Sequence, residues 1–127
     1  MVKKAEIYKC AICGNIVEVL KVGGGELVCC GKAMNCLEEY TEGDKAPKHL
    51  PVITKEDGAI TVALGEVAHP MDDDHFIEFI ELNVGDETFK KFLKPGDEPK
   101  AVFNVAFDGD VKARAFCNLH GLWANNL

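Results

Sequence analysis

Leu50-Pro51-Val52-Ile53-Thr54-Lys55-Glu56-Asp57-Gly58-Ala59-Ile60-Thr61-Val62-Ala63-Leu64 reads as two extended runs joined by a tight reversal. Asp57-Gly58 suits a turn whose central residues take positive φ, the connection that hairpin strands prefer. In the second run Ile60, Val62 and Leu64 alternate with Thr61 and Ala63, the period-two pattern of a half-buried strand. Downstream, residues 75–82, 88–93, 101–107 and 111–116 are further short strand-like runs, the later ones parted by Lys94-Pro95-Gly96-Asp97 and Asp108-Gly109-Asp110. In 101–107 the side chains of Ala101, Phe103, Val105 and Phe107 share one face. Short strands with turns roughly every eight to twelve residues predict an all-β antiparallel sandwich or barrel. No stretch has a convincing helical period, and residues 69–75 form a loop with room for one helical turn.

Upstream of the hairpin, residues 38–47 are polar and carry Gly43 and Pro47, which reads as a linker. Residues 1–37 form a separate small unit: a strand leading into Cys10, a strand at 16–20, a Gly23-Gly24-Gly25 turn and a return strand at 26–29. A unit of fewer than about 40 residues rarely folds on its own core and needs a staple. Its cysteines supply one. Five of the six cysteines lie in the first 36 residues, four of them as Cys10-Ala11-Ile12-Cys13 and Cys29-Cys30.

The C-x-x-C pair puts two sulfurs on one tight turn, half of a zinc or iron tetrathiolate. Neighbours such as Cys29 and Cys30 point to opposite faces of an extended chain, so the backbone must bend for both sulfurs to reach one ion. Gly31 suits that bend, and a distorted tetrahedron is expected. Spacing does not choose between iron and zinc. A dithiol redox pair at Cys10/Cys13 and a vicinal disulfide at Cys29/Cys30 are the competing readings. Cys36 is expected to be a buried or partly buried thiol outside the metal set.

All four histidines lie beyond this unit. His49 sits in the stiff Pro47-Lys48-His49-Leu50-Pro51 segment, His69 precedes Pro70, His75 opens a strand, and His120 closes Cys117-Asn118-Leu119-His120. The last pair has ligand spacing. A second, mostly imidazole site requires these four to converge on Cys117; each histidine taken alone reads as an ordinary surface or core imidazole.

The formal charge is −7 over 127 residues. Residues 1–38 hold five lysines and four glutamates, and the rest holds nine basic and seventeen acidic residues. Nucleic-acid binding is excluded, since phosphate contacts need clustered basic residues. No apolar run approaches the ~18 residues of a membrane span, and the N-terminus lacks a secretory apolar stretch, so a cytoplasmic protein is expected. In that compartment clustered cysteines are metal ligands or redox thiols.

Cys10-x-x-Cys13-Gly14-Asn15 with Cys29-Cys30-Gly31 resembles the desulforedoxin-type iron site. Lys48-His49, His69-Pro70, His75 and Cys117-Asn118-Leu119-His120-Gly121 resemble the ligand motifs of superoxide reductase. In this order they resemble desulfoferrodoxin, the two-iron class of that family, and Phe92-Leu93-Lys94-Pro95-Gly96 and Trp123 fit the same pattern. The resemblance spans essentially the whole chain.

It implies a desulforedoxin-like knuckle (1–37), a linker (38–47) and an immunoglobulin-like antiparallel β-sandwich (48–127). It implies two irons, one held by Cys10, Cys13, Cys29 and Cys30, the other by His49, His69, His75 and His120 with Cys117 axial and an open sixth position for superoxide. No haem or nucleotide is implied. A homodimer, a rubredoxin-like electron donor and an anion-attracting role for Lys48 are. Many members carry a glutamate just before that lysine, which binds the ferric iron. Pro47 stands there in this chain and cannot ligate, so water, hydroxide or an empty position is expected. The alternatives are an electron-transfer protein with a closed second site, and a zinc-ribbon module followed by an inert sandwich.

Overall fold

The computed structural model describes residues 2–127, which divide into two units between Glu38 and Glu39. In the first unit β1 (Ile7–Lys9) pairs antiparallel with β2 (Ile16–Glu18) and with β5 (Asn35–Cys36), while β3 (Val28–Cys29) and β4 (Lys32–Ala33) form a separate hairpin. Among its described residues only Ile7, Cys10 and Val19 are buried. Three side chains are too little core to offset the chain entropy of such a unit, so its order must come from the cysteine cluster. Cys36 is a correction to the sequence reading: it is exposed on the edge strand β5, with Sγ 3.4 Å from Glu6 Oε2. An edge strand of so small a unit has nothing to bury it.

The second unit contains β6 (Glu39–Tyr40), α1 (Ala46–His49), β7 (Pro51–Glu56), β8 (Ala59–Leu64), β9 (Ile77–Val84), β10 (Glu87–Phe92), β11 (Lys100–Phe103), β12 (Val111–Cys117) and β13 (Gly121–Asn126). A five-stranded sheet ordered β10-β9-β12-β13-β6 faces a three-stranded sheet ordered β11-β8-β7. Ile53, Ile60, Val62, Leu64, Ala101 and Phe103 from the small sheet meet Ile80, Leu82, Val84, Ala113 and Ala115 from the large one. The result is an all-β sandwich preceded by a cysteine knuckle. The β7–β8 turn has Asp57 at φ 52° and Gly58 at φ 75°, as the Asp-Gly signal requires.

Three segments differ from the sequence reading. The 38–47 stretch is not all linker. Tyr40 pairs in parallel register with Trp123, their rings 5.5 Å apart, so β6 becomes the edge of the large sheet. Its last residues make the single helical turn α1, where Pro47 sits in the first turn and needs no donor. The 101–107 strand stops at Phe103, because Val105 N–H turns back to Phe103 O at 2.8 Å. Phe107 then folds over Gly85 and Gly109 instead of continuing the ladder. Residues 69–75 contain no helical turn; Asp72 and His75 instead exchange both backbone hydrogen bonds.

On the face of the large sheet opposite the core, Glu81 is fully buried and Arg114 is 3% exposed. Arg114 donates through Nε and Nη2 to the two oxygens of Glu81 and through Nη1 to Glu39, while Lys90 and Asn83 also donate to Glu81. Burial alone would raise the Glu81 carboxyl, but these donors outweigh it and hold it at about 2.

Candidate metal centres

The cysteine cluster is built by two tight bends. Cys10 O accepts from Gly14 N–H at 3.0 Å, and the amides of Ile12 and Cys13 both point at Cys10 Sγ at 3.4 Å. On the other side Cys30 and Gly31 take φ of 54° and 73°, so the chain turns between the vicinal thiols and aims both the same way. The four sulfurs lie within 4.8 Å of one another. Cys13 and Cys29 are 3.5 Å apart, and the vicinal pair stands wider at 3.9 Å. A tetrahedron with metal–sulfur bonds of about 2.3 Å has edges of about 3.8 Å, so the set fits one ion. At 3.9 Å there is no disulfide between Cys29 and Cys30.

The thiols compete for charge. The amides of Cys13 and then Ile12 hold Cys10 down at about 6, while hydrogen bonding to Cys13, then Cys29 and Cys10, pushes Cys30 up to about 12. Without a cation such a group supports few thiolates; a metal ion lets all of them ionise.

The second cluster follows from strand pairing. β7 begins where β8 ends (Pro51↔Leu64), and β9 begins where β12 ends (Cys117↔Ile77). One end of the sandwich therefore collects His49 from α1, His69 from the loop after β8, His75 from the loop before β9, Cys117 from the end of β12 and His120 from the β12–β13 turn. Donor atoms of His49, His69, His75 and Cys117 lie within 4.8 Å of one another. His120 joins through Nδ1, which is 3.2 Å from His49 Nε2 and 3.9 Å from Cys117 Sγ.

The four rings form a square. Successive centroids are 4.5, 4.7, 5.0 and 5.0 Å apart with interplanar angles of 80–85°, and His49 and His75 face each other across 6.3 Å. His49 Nδ1 donates to Lys45 O at 2.8 Å and His69 Nδ1 to Pro70 O at 2.6 Å. Each neutral ring has one proton, so both Nε2 atoms are bare acceptors, yet they stand 3.0 Å apart. Two lone pairs at that distance repel unless a cation lies between them. Metal–nitrogen bonds of about 2.1 Å at right angles put nitrogens about 3.0 Å apart. His75 Nε2 is buried with no hydrogen-bond partner among the described residues, a third bare donor.

The electrostatics agree. Burial pushes His69 down to about 4 and lowers His49 and His120, with neighbouring imidazoles and the Lys45 charge adding to both of the latter. Those three rings are thus neutral and able to ligate near neutral pH. Burial raises the Cys117 thiol, opposed by the amides of Leu119 and His120. Cys117 is fully buried beside the four rings, and His120 is only partly covered. Donors of this kind, imidazole and one thiolate, suit iron, copper or zinc by chemistry alone.

The nine side chains singled out in the sequence gather into two clusters, but what holds them there was not apparent beforehand. A Cβ on Gly65 would lie 2.6 Å from Lys48 Cα, so only glycine lets α1 press against the end of β8. Lys45 fixes the His49 tautomer; the signal was its place four residues before His49, where a helical carbonyl meets the ring. Trp123 packs 5.2 Å from His49 and donates from Nε1 to His120 O.

The sequence pattern of the Desulfoferrodoxin family matches residues 41–126, and that of the desulfoferrodoxin N-terminal domain matches residues 2–37. The chain is 52% identical to a desulfoferrodoxin of Syntrophotalea carbinolica over 98% of both chains. It is 53% identical to one of Nitratidesulfovibrio vulgaris over 97% of both. Among solved structures it resembles the superoxide reductase from Treponema pallidum, with a TM-score of 0.77 and 26% identity, covering 98% of this chain and 99% of that one.

Proposed function

The chain belongs to the desulfoferrodoxin family, and from that premise we propose which of its side chains carry the activity. The protein is a superoxide reductase with two irons, one in a four-cysteine set and one in a four-histidine, one-cysteine set. Superoxide, one electron and two protons give hydrogen peroxide; no second superoxide is oxidised, so the reaction is not a dismutation. We assign Cys10, Cys13, Cys29 and Cys30 to the first iron and His49, His69, His75, His120 and Cys117 to the second. The observation that carries the second assignment is the pair of bare Nε2 atoms on His49 and His69 at 3.0 Å.

Iron held by these residues would supply the electron and a position open to superoxide. Imidazole ligands bring no charge of their own to a metal, so four of them would help keep a ferrous state accessible. A Cys117 thiolate bound to that iron would supply it with electron density, the lever that thiolate-ligated haems use. Its burial keeps it from solvent protons. The Pro47 side chain offers no ligating atom, so after turnover the iron would keep water, hydroxide or an empty position there.

Superoxide is an anion approaching a chain of net charge −7, so local positive charge must overcome the global field. Lys48, exposed on α1 one residue before His49, is assigned that role. Lys48→Ile should lower the second-order rate with pulse-generated superoxide by about tenfold and flatten its salt dependence, with iron content unchanged. A rate indifferent to the substitution sinks the steering role. Azide should shift the oxidised thiolate-to-iron absorption; an unmoved band would mean a closed site and a protein that only carries electrons.

The remaining assignments concern partners. A rubredoxin-like protein is the proposed donor, and a cytoplasmic setting suits six cysteines with no disulfide among them. No helix among the described residues is long and apolar enough to cross a membrane. A homodimer is supported by the first unit, where Ile12, Leu20 and Val28 are 63%, 77% and 56% exposed. Leu20→Glu should shift the sedimentation coefficient toward that of a monomer; an unchanged value removes this face from the interface.

A further inference from the structure

The β9–β12 ladder breaks where the site begins. Phe116 pairs with Phe79, but Cys117 pairs with Ile77, so the register slips just before the sulfur ligand. Beyond the slip, main-chain pairing alone does not hold the 117–120 loop to the loop that carries His75. Asn118 takes over. Its backbone N–H donates to Phe76 O at 3.2 Å, its Oδ1 accepts from Phe76 N–H at 3.0 Å, and its Nδ2 donates to Asp74 O at 3.0 Å. These bonds grip the residues on both sides of His75. Along the chain Asn118 follows Cys117, the last residue of β12, directly and stands two residues before His120.

We infer that Asn118 is a positioning residue, its side-chain amide locking the loop of Cys117 and His120 to the loop of His75 so that three of the five donors keep their places. The chemistry demands an amide. Only asparagine or glutamine offers an acceptor and a donor on one planar group, and glutamine sets that group one methylene farther out. Aspartate keeps the acceptor for Phe76 but sets a carboxylate oxygen against the Asp74 carbonyl. Alanine deletes both contacts and leaves the Phe76 amide without its side-chain acceptor. Groups that orient metal ligands from behind are worth about 10- to 100-fold in metal affinity when removed.

The inference rests on the five-donor reading of the site, and the test separates the two. The full chain is loaded with iron, and competition with a ferrous chelator measures affinity at each site, the tetrathiolate iron serving as internal reference. Asn118→Ala should weaken the second site about 10- to 100-fold, displace or broaden its long-wavelength thiolate band, and leave the tetrathiolate spectrum unchanged. If that variant does not fold, Asn118→Asp decides, with a loss of roughly tenfold expected. Wild-type affinity with an unmoved band in the folded variant overturns the inference. So does a loss of iron that matches a loss of apoprotein stability with the band unmoved, since that is a purely structural effect. Cys117→Ser is run in parallel. If it keeps the band, the five-donor reading itself fails; if it loses the band while Asn118→Ala keeps band and affinity, only the role of Asn118 fails.

Discussion

Cys117→Ser should remove the long-wavelength absorption of the second iron and reduce the reaction with superoxide to background, while the tetrathiolate spectrum persists. The expected loss exceeds that from any surrounding residue. Removing an outer partner of a ligand costs about 10- to 100-fold in metal affinity; Cys117 is the only sulfur donor of its set and is wholly buried. Serine is nearly the same size, so core packing changes little. Its hydroxyl stays neutral at working pH, however, and supplies neither the negative charge nor the polarisable electron pair of a thiolate. Iron that remained on the four imidazoles would lack the electron push that favours protonation of the reduced oxygen. Visible absorption, iron analysis and pulse-radiolysis kinetics on one sample check all three points. A variant that keeps superoxide reduction near the wild-type rate sinks the assignment of Cys117.

The converse experiment separates the two irons. Cys13→Ser deletes one corner of the first tetrahedron and should lose that iron. The second unit has its own core, from Ile53 to Cys117, and its own donors. Superoxide reduction should therefore survive when electrons come from an artificial reductant. If it does not, the tetrathiolate iron is an obligatory part of the reaction rather than an auxiliary centre.

What was legible in the chain beforehand was whatever is encoded locally. Asp57-Gly58 requires positive φ at both positions and announced its hairpin. The Cys29-Cys30-Gly31 bend follows from two side chains that cannot otherwise face one ion, and Cys30 does adopt the left-handed region. The donor types could be picked out, and the family motifs ordered them. Illegible were the features that depend on partners far along the chain. β13 has the unpromising sequence Gly121-Leu122-Trp123-Ala124-Asn125-Asn126, and it is a strand because β12 and β6 flank it. The Gly65 requirement combines a positive φ of 83° with the close approach of the Lys48 and Val67 backbones, and the Lys48 contact depends on packing far along the chain. The early end of the 101–107 strand comes from a backbone reversal at Phe103–Val105 that alternating apolar residues do not foretell. His120 turns Nδ1 toward the cluster where His49 and His69 turn Nε2, which is a matter of how the β12–β13 turn presents the ring.

The charge network behind the large sheet leads to the largest stability effect. Arg114→Ala should destabilise the second unit by about 3 kcal/mol, because it strips a fully buried carboxylate of its bidentate partner. Lys90 and Asn83 remain on Glu81 and keep the loss at the lower end of the range for broken buried pairs. The pH dependence gives the sharper test. Glu81 has a folded pKa of about 2 against an ordinary 4.5, so its contribution is fully present above 4.5 and is lost as pH falls through the folded value. That shift corresponds to something on the order of 3 kcal/mol. Without Arg114 the folded carboxyl titrates higher, so the gap between wild type and variant should be widest near pH 7 and shrink below about pH 4.5. Denaturant midpoints measured from about pH 7 to about pH 3 follow that gap. Parallel curves with a constant offset would mean that Arg114 acts through packing of its stem. Replacing both partners by apolar residues of similar volume should recover most of the loss, since the pair's net worth is far smaller than the cost of breaking it.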